Sequence, residues 1–312
     1  MNPQLEPILS EIKKAVVGKR GVIEKILMAL LAEGHILLDD VPGVGKTTLA
    51  VALSRALGLD FSRIQFTPDV LPSDIIGFSV YDRQSGEFVY RPGAVTNANL
   101  LLGDEINRTS SKTQSALLEA MEERQITVDG HTYPLPKPFI VIATQNNVGT
   151  AGTQLLPYAQ MDRFLVRLSV GYPDRDAQIA MLRARQDENP LDRVHPVASR
   201  EDVLAMQTAV RAESVSDAIL DYITRLTMAS REHPMLEVGV SPRGALCLCR
   251  MAKARAYLLG RDYVIGEDVQ DVWQAVCAHR IVATPKARLS GTTNADILHD
   301  LLSSVESPDQ RL

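Results

Sequence analysis

Short, uniformly apolar runs alternate along the chain with longer stretches in which apolar residues recur every three or four positions. The short runs "HILLDD" (35–40), "NLLLGDEIN" (99–107) and "FIVIATQN" (139–146) each end in polar or acidic residues. They read as strands buried on both faces. "FSRIQF" (61–66) and "RFLVRLSV" (163–170) read as two more. Helical spacing covers 5–16, 19–33 with Gly34 as its stop, 46–58 closed by Gly58, and 111–123. Strand, loop, helix and strand in succession predict a parallel α/β sheet, whose ligands sit at the carboxyl ends of the strands.

Two stretches interrupt the alternation. Alternating residues on either side of "DRQSGE" predict a β-hairpin over about 77–90, inserted into the helical layer. "RQITVDGHTYPLP" predicts another over about 125–136, turning at Asp129-Gly130. After "GYPDRD" strand signals become scarce, and residues 174–279 read as mostly helical. A boundary near Tyr172-Pro173 therefore divides the chain into an α/β domain, 1–172, and a smaller all-helical domain, 173–312. The last stretch predicts one short helix and a frayed tail.

Composition changes this picture little. At 312 residues, with 45% hydrophobic and 23% charged residues, the chain can bury a sizeable core. A net charge of -5 argues against an obligate polyanion binder, so nucleic acid is not expected as a partner. The three cysteines, Cys247, Cys249 and Cys277, suit neither a disulfide framework nor a paired zinc site. Pro, Glu and Lys interrupt the apolar residues of the N-terminus, so no signal peptide is expected. No run approaches the roughly 18 apolar residues of a membrane span. The cytoplasm is the expected compartment.

The candidate chemistry begins at "DDVPGVGKTT" (39–48), a phosphate-loop pattern in which Asp40 stands where the first glycine of G-x-x-x-x-G-K-[ST] is usual. A phosphate cradle needs inward-pointing N–H groups and close backbone approach, which Gly43 and Gly45 allow. Lys46 supplies a cation for the β- and γ-phosphates, and the Thr47 hydroxyl is a hard ligand for Mg²⁺. The following helix adds its positive N-terminal dipole. Asp40 is expected to make the bend at positive φ. Its carboxylate should turn from the triphosphate toward the preceding helix or solvent, because like charges repel. Hydrolysis needs a second acid. Asp104, ending a buried strand, would hold Mg²⁺ through water, and Glu105 would polarise the attacking water. Asn146, ending the next such strand, could orient that water or read the γ-phosphate. Arg163 and Arg243, taken singly, mean little.

Together, "LLDDVPGVGKTTLA", "RIQFTPDVLPSDIIG", "NLLLGDEINR", "KTQSALLEAMEE", "IATQN", "LPYAQMDRF" and "GVSPRG" resemble the ordered blocks of the MoxR family of AAA+ ATPases, over nearly the whole chain. The resemblance implies a P-loop AAA+ core with a five-stranded parallel sheet, an insert in its second helix, a hairpin before sensor 1 and a smaller helical lid. It makes Gly43, Val44, Gly45, Lys46, Thr47 and Thr48 Walker A, and Asp104 and Glu105 Walker B. Asn146 becomes sensor 1, and Arg243 sensor 2, touching the γ-phosphate in cis. Arg163 becomes the arginine finger, presented to a neighbouring subunit, while Val17 and Gly18 resemble the segment lining the adenine pocket. It further implies ATP with Mg²⁺, a homo-oligomeric ring, commonly hexameric, and chaperone-like remodelling of partners alongside a protein with a von Willebrand factor A domain.

The chain departs from the family at Asn147 and Tyr158, where Pro and Glu are usual, and at Thr109-Ser110-Ser111 in place of prolines. Both segments lie near the expected subunit interface. Three other readings belong beside the remodeller: a chelatase-type ATPase driving metal insertion into a tetrapyrrole, a DNA-unwinding motor, and a nucleotide-dependent scaffold with little turnover. The closer fit of the MoxR blocks disfavours the first. The acidic balance, without zinc-finger or helix-turn-helix additions, disfavours the second. The presence of Glu105 disfavours the third.

Overall fold

A computed structural model describes residues 1–146, 156–186 and 188–308; the Asn147 departure lies outside these described residues. Two helices, α1 (Glu6–Ala15) and α2 (Arg20–Leu31), precede the first strand, β1 (Ile36–Asp39). Then follow α3 (Lys46–Ala56), β2 (Phe61–Gln65) and α4 (Pro72–Ile76). The first hairpin pairs β3 (Phe78–Asp82) with β4 (Glu87–Arg91). After β5 (Leu100–Asp104) and α5 (Ser111–Glu123) comes the second hairpin, β6 (Gln125–Val128) and β7 (His131–Pro134). Its turn carries positive φ at both Asp129 (51°) and Gly130 (81°), the twist that a two-residue hairpin requires. β8 (Ile140–Gln145), α6 (Tyr158–Met161) and β9 (Val166–Leu168) complete the α/β part.

The central sheet has the order β2-β5-β8-β1-β9, with all four pairings parallel. This is the expected five-stranded parallel core. Its strands sort residues by parity, as pleating demands. Ile36, Leu38, Leu100, Leu102, Ile140 and Ile142 join one apolar cluster, with α1, α2 and α3. Leu37, Leu101, Val141 and Ala143 face the other, with α5 and the second hairpin. Both faces are therefore covered, so the polar strand ends at one edge are where a ligand can reach the sheet.

The C-terminal part contains α7 (Arg175–Ala184), α8 (Arg200–Ala212), α9 (Asp217–Glu232), α10 (Pro242–Leu258), α11 (Gly266–Cys277), α12 (Pro285–Leu289) and α13 (Asn294–Ser304). Among the described residues it is mostly helical, but it also holds short β structure that the all-helical expectation lacked. β10 (Leu236–Val238) pairs antiparallel with β11 (Val282–Ala283), tying the approach to α10 to the exit of α11. These strands of three and two residues are too short to show an alternating pattern in sequence. The lid packs against the first cluster of the core, through Leu248 and Met251 of α10 and Ile23, Leu27 and Leu30 of α2. Among the described residues, no helix is long and apolar enough to cross a membrane.

Candidate active site: a phosphate cradle and a separate arginine cavity

The loop between β1 and α3 bends through Gly43 (φ +83°) and Gly45 (φ +92°). A methyl group built at either glycine meets nothing within 4 Å, so both backbones face open space. Side chains would project into that cradle and strain the left-handed backbone. Gly45 is also the N-cap of α3, whose unsatisfied N–H groups and dipole favour an anion. A cavity of about 370 Å³ opens there, lined by Gly43, Gly45, Lys46, Thr47 and Thr48 and by the strand-end residues Asp104, Glu105 and Asn146. Val44 turns its side chain onto the apolar core instead, leaving its backbone to the loop.

Lys46 donates from Nζ to the carbonyl of Asp40 at 3.0 Å. Partial burial lowers its pKa, opposed by the charges of Asp40, Asp104, Asp39 and Glu105. A partly desolvated ammonium of this kind gains much from a bound polyphosphate. Asp40 does not take the positive-φ bend, which falls to Gly43 and Gly45. Its carboxylate points neither to the preceding helix nor to solvent. It accepts from the backbone N–H of Val170, from that of Gly171 at 3.1 Å and from Ser169 Oγ at 3.2 Å, beyond the end of β9.

The acids at the end of β5 are held by partners that their own motif does not reveal. Asp104 accepts from Arg63 Nε at 2.8 Å and from Thr144 Oγ1 at 3.3 Å. The same Thr144 hydroxyl receives the Glu105 N–H at 2.9 Å, so one side chain on β8 aligns both acids. Glu105 adopts a left-handed conformation (φ 57°, ψ 49°), costing a non-glycine residue about 1–2 kcal/mol. That twist swings its carboxylate to Gln65 Nε2 at 3.0 Å and Arg108 Nη1 at 2.7 Å. Asn146 is set at the mouth of β8, its carbonyl accepting from Asn107 Nδ2 at 3.3 Å.

Arg63, Gln65 and Thr144 are thus residues that motif reading missed, and so is Arg185, which lines the same cavity from just beyond α7. A signal for two of them exists in "FSRIQF". Arg63 and Gln65 are two apart on a strand and so share one face, and the Gln65 position pairs with Asp104.

Val17 and Gly18 do not line this cavity. Gly18, at φ +75°, lies against α7, where an added Cβ would stand 2.6 Å from that of Ala177. The adenine assignment therefore places these residues under the helix that leads to Arg185, not beside the cradle.

Arg163 and Arg243 lie in a second cavity, of about 700 Å³, between α5, α8 and α10. Both reach Glu122 of α5, Arg163 Nε at 3.3 Å and Arg243 Nη1 at 3.0 Å. Arg243, expected to reach the γ-phosphate in cis, lines this cavity and is not among the residues lining the one at the phosphate loop. The reason is its place at the start of α10, whose cap hydroxyl, Ser241 Oγ, is joined to Asp162 at 3.3 Å, next to Arg163. Arg124, Arg211, Arg250 and Lys253 also line this cavity, and among the described residues Glu33 and Glu122 are the acids that face them, so it is strongly cationic.

The donor set fits the implied ligands. Open glycines, a helix N-terminus and Lys46 suit a polyphosphate, while the Thr47 hydroxyl and Asp104 carboxylate in one cavity suit a hard divalent cation.

Comparison with known proteins bears on the family and the fold. The profile of the ATPase family associated with various cellular activities (AAA) matches residues 35–166, and that of the AAA lid domain matches 228–301. Protein YeaC of Bacillus subtilis is 46% identical over all of this chain and 97% of its own length. Chaperone MoxR1 of Mycobacterium tuberculosis is 39% identical over 97% of this chain and 82% of its own. A solved structure of a candidate ATPase from Cytophaga hutchinsonii superposes with a TM-score of 0.90 at 37% identity, covering 97% of this chain and 94% of that one.

Proposed function

The chain belongs to the MoxR family of AAA+ ATPases, and from that premise we propose that it hydrolyses ATP with Mg²⁺ at a site shared between two copies. In this reading it works as a homo-oligomeric ring, a hexamer by family habit, that remodels partner proteins in the cytoplasm. A protein with a von Willebrand factor A domain is its expected companion. The chaperone role is supported by the name of the Mycobacterium tuberculosis relative.

One observation carries the shared site: the cradle and the two arginines occupy different cavities of the same chain. Gly43 to Thr48 would hold the phosphates, with Thr47 and Asp104 holding the metal. When bound, Mg²⁺ would offset negative charge on the transferred phosphoryl group. Glu105, once released from Arg108 and Gln65, would take a proton from the attacking water at its carboxylate, and Asn146 would orient that water. Arg163 and Arg243 would leave Glu122 for the phosphates of the adjacent copy. An arginine supplied in this way stabilises transition-state charge that a single chain leaves exposed.

The test is subunit mixing. Arg163→Ala and Lys46→Ala proteins should each be inactive alone and recover hydrolysis when combined, because the lesions fall in opposite halves of the site. Full activity of Arg163→Ala alone would refute the shared site. Unchanged ATP affinity in Lys46→Ala would refute the cradle.

A further inference from the structure

Arg280 lies just beyond α11 and is wholly buried, although a guanidinium stays charged at any ordinary pH. Its hydrogen bonds converge on the segment that carries Arg163. Nε donates to Asp162 Oδ1 at 2.8 Å, and Nη2 donates to the carbonyls of Asp162 at 3.1 Å and Phe164 at 2.6 Å. Nη1 donates to the carbonyl of Leu165 at 3.1 Å and to that of Val276 in α11. The carbonyls of the residues on either side of Arg163 are therefore gripped by one side chain from the lid.

The second oxygen of Asp162 extends the grip. Oδ2 accepts from Ser241 Oγ at 3.3 Å, and that hydroxyl in turn accepts the Gly244 N–H at 3.0 Å as the N-cap of α10. Arg243 is the second residue of that helix. A single carboxylate thus bonds both the anchor of Arg163 and the cap of the helix bearing Arg243. Gly244 leaves the passage open, since a Cβ there would stand 2.9 Å from Arg280 Cδ and 2.6 Å from Val240 Cγ1. The Tyr158 hydroxyl, at the position where the family usually has Glu, donates to the Arg280 carbonyl at 2.7 Å and closes the cluster from α6.

We infer that Asp162 and Arg280 form a bracket that positions Arg163 and Arg243 as one unit toward a neighbouring copy's nucleotide, an assignment that rests on the shared-site reading above. Taking an ion pair out of water carries a desolvation cost that pairing must repay, so such a pair is weak evidence of stabilisation. What it supplies here is geometry. Two long arginines must meet one phosphate group, and a 1 Å misplacement costs about 10²-fold in rate. Fixing both backbones through one carboxylate removes most of the freedom by which they could miss. The two residues act through the arginines and are positioning residues.

The test uses full-length Asp162→Asn, which keeps the size and one acceptor of the side chain but loses its charge. Hydrolysis should fall about 10–100-fold, while ATP affinity, set by the intact cradle, stays within about 3-fold of wild type. Mixed with Lys46→Ala, the variant should regain activity; mixed with Arg163→Ala, it should not, because both lesions then damage the same half-site. Arg280→Lys, which keeps the charge but cannot span the carbonyls of Asp162, Phe164 and Leu165, should behave in the same way and carries the test should Asp162→Asn fail to fold. Wild-type hydrolysis in either folded variant, lost ATP affinity, or rescue by Arg163→Ala would overturn the bracket. Arg163→Ala separates the two levels. An active Arg163→Ala removes the shared-site reading and the bracket with it, whereas an inactive one beside a fully active Asp162→Asn removes the bracket alone.

Discussion

Asp40 stands where a glycine is usual, and its carboxylate has found work on the far side of the strand. It receives two backbone N–H groups and a hydroxyl from residues 169–171, fastening the phosphate loop to the exit of β9. Its backbone carbonyl meanwhile holds Lys46. The substitution Asp40→Gly should therefore act on stability more than on binding. Leaving the Val170 and Gly171 amides without their charged acceptor should cost about 2–4 kcal/mol, while ATP affinity stays within a few-fold because no glycine of the cradle has moved. Thermal unfolding with and without ATP checks both halves, and an unchanged melting temperature would show that the amides find other partners. The motif showed that Asp40 could not face a triphosphate, but not which amides it would meet. Those lie about 130 positions along the chain, and only the pairing of β1 with β9 brings them near.

At the level of elements, His35 joins three pieces of the core. Its Nδ1 accepts the Val141 N–H at 3.0 Å, so the proton is on Nε2, which donates to the Met121 carbonyl at 3.0 Å. The neutral ring thus links the start of β1 to β8 and to the last turns of α5. Burial depresses its pKa to about 3. His279 is likewise buried and pushed well below the usual range, by burial first and then by the adjacent Arg280. In the unfolded chain each imidazole gains a proton below about pH 6.5, while in the folded chain both stay neutral. The unfolded state binds more protons in that window, so stability falls as the pH drops, by about 1.4 kcal/mol per unit for each histidine. Urea unfolding at pH 7, 6 and 5 should show no loss from these groups until about pH 6.5, then a decline of about 2–3 kcal/mol between pH 6 and 5. A flat profile would contradict neutral burial of the two rings.

For the whole molecule, the decisive feature is that the cradle and the paired arginines line two separate cavities of one chain, the arrangement on which the proposed shared site rests. Under that proposal the hydrolysis rate per chain should rise with protein concentration and level off once assembly is complete. Rates measured across a dilution series, alongside the sedimentation profile, test this. A constant rate per chain in samples that sediment as monomers would mean that the arginines of the second cavity take no part. The same architecture explains why the lid cannot be read as an appendage. Its helices share one continuous apolar cluster with α1, α2, α3 and a face of the sheet, and Arg280 carries polar contacts across that join.

The sequence by itself determined the core strands, the two hairpins and most helices, and it marked the candidate cradle. Periodicity marks strands and helices because pleat and helix repeat locally, and "GVGKTT", "GDE" and "ATQN" each lie at the end of an apolar run that can only be a buried strand. Both hairpins were legible for the same reason, since turn residues act within a few positions. Only the tertiary structure decided what those residues touch. Arg63 and Gln65 on Asp104 and Glu105, Glu122 between Arg163 and Arg243, and Arg280 around Asp162 all join positions about 40 to 120 apart. Such partners follow from how sheet and lid pack, and packing is set by the summed burial of many side chains rather than by any one motif.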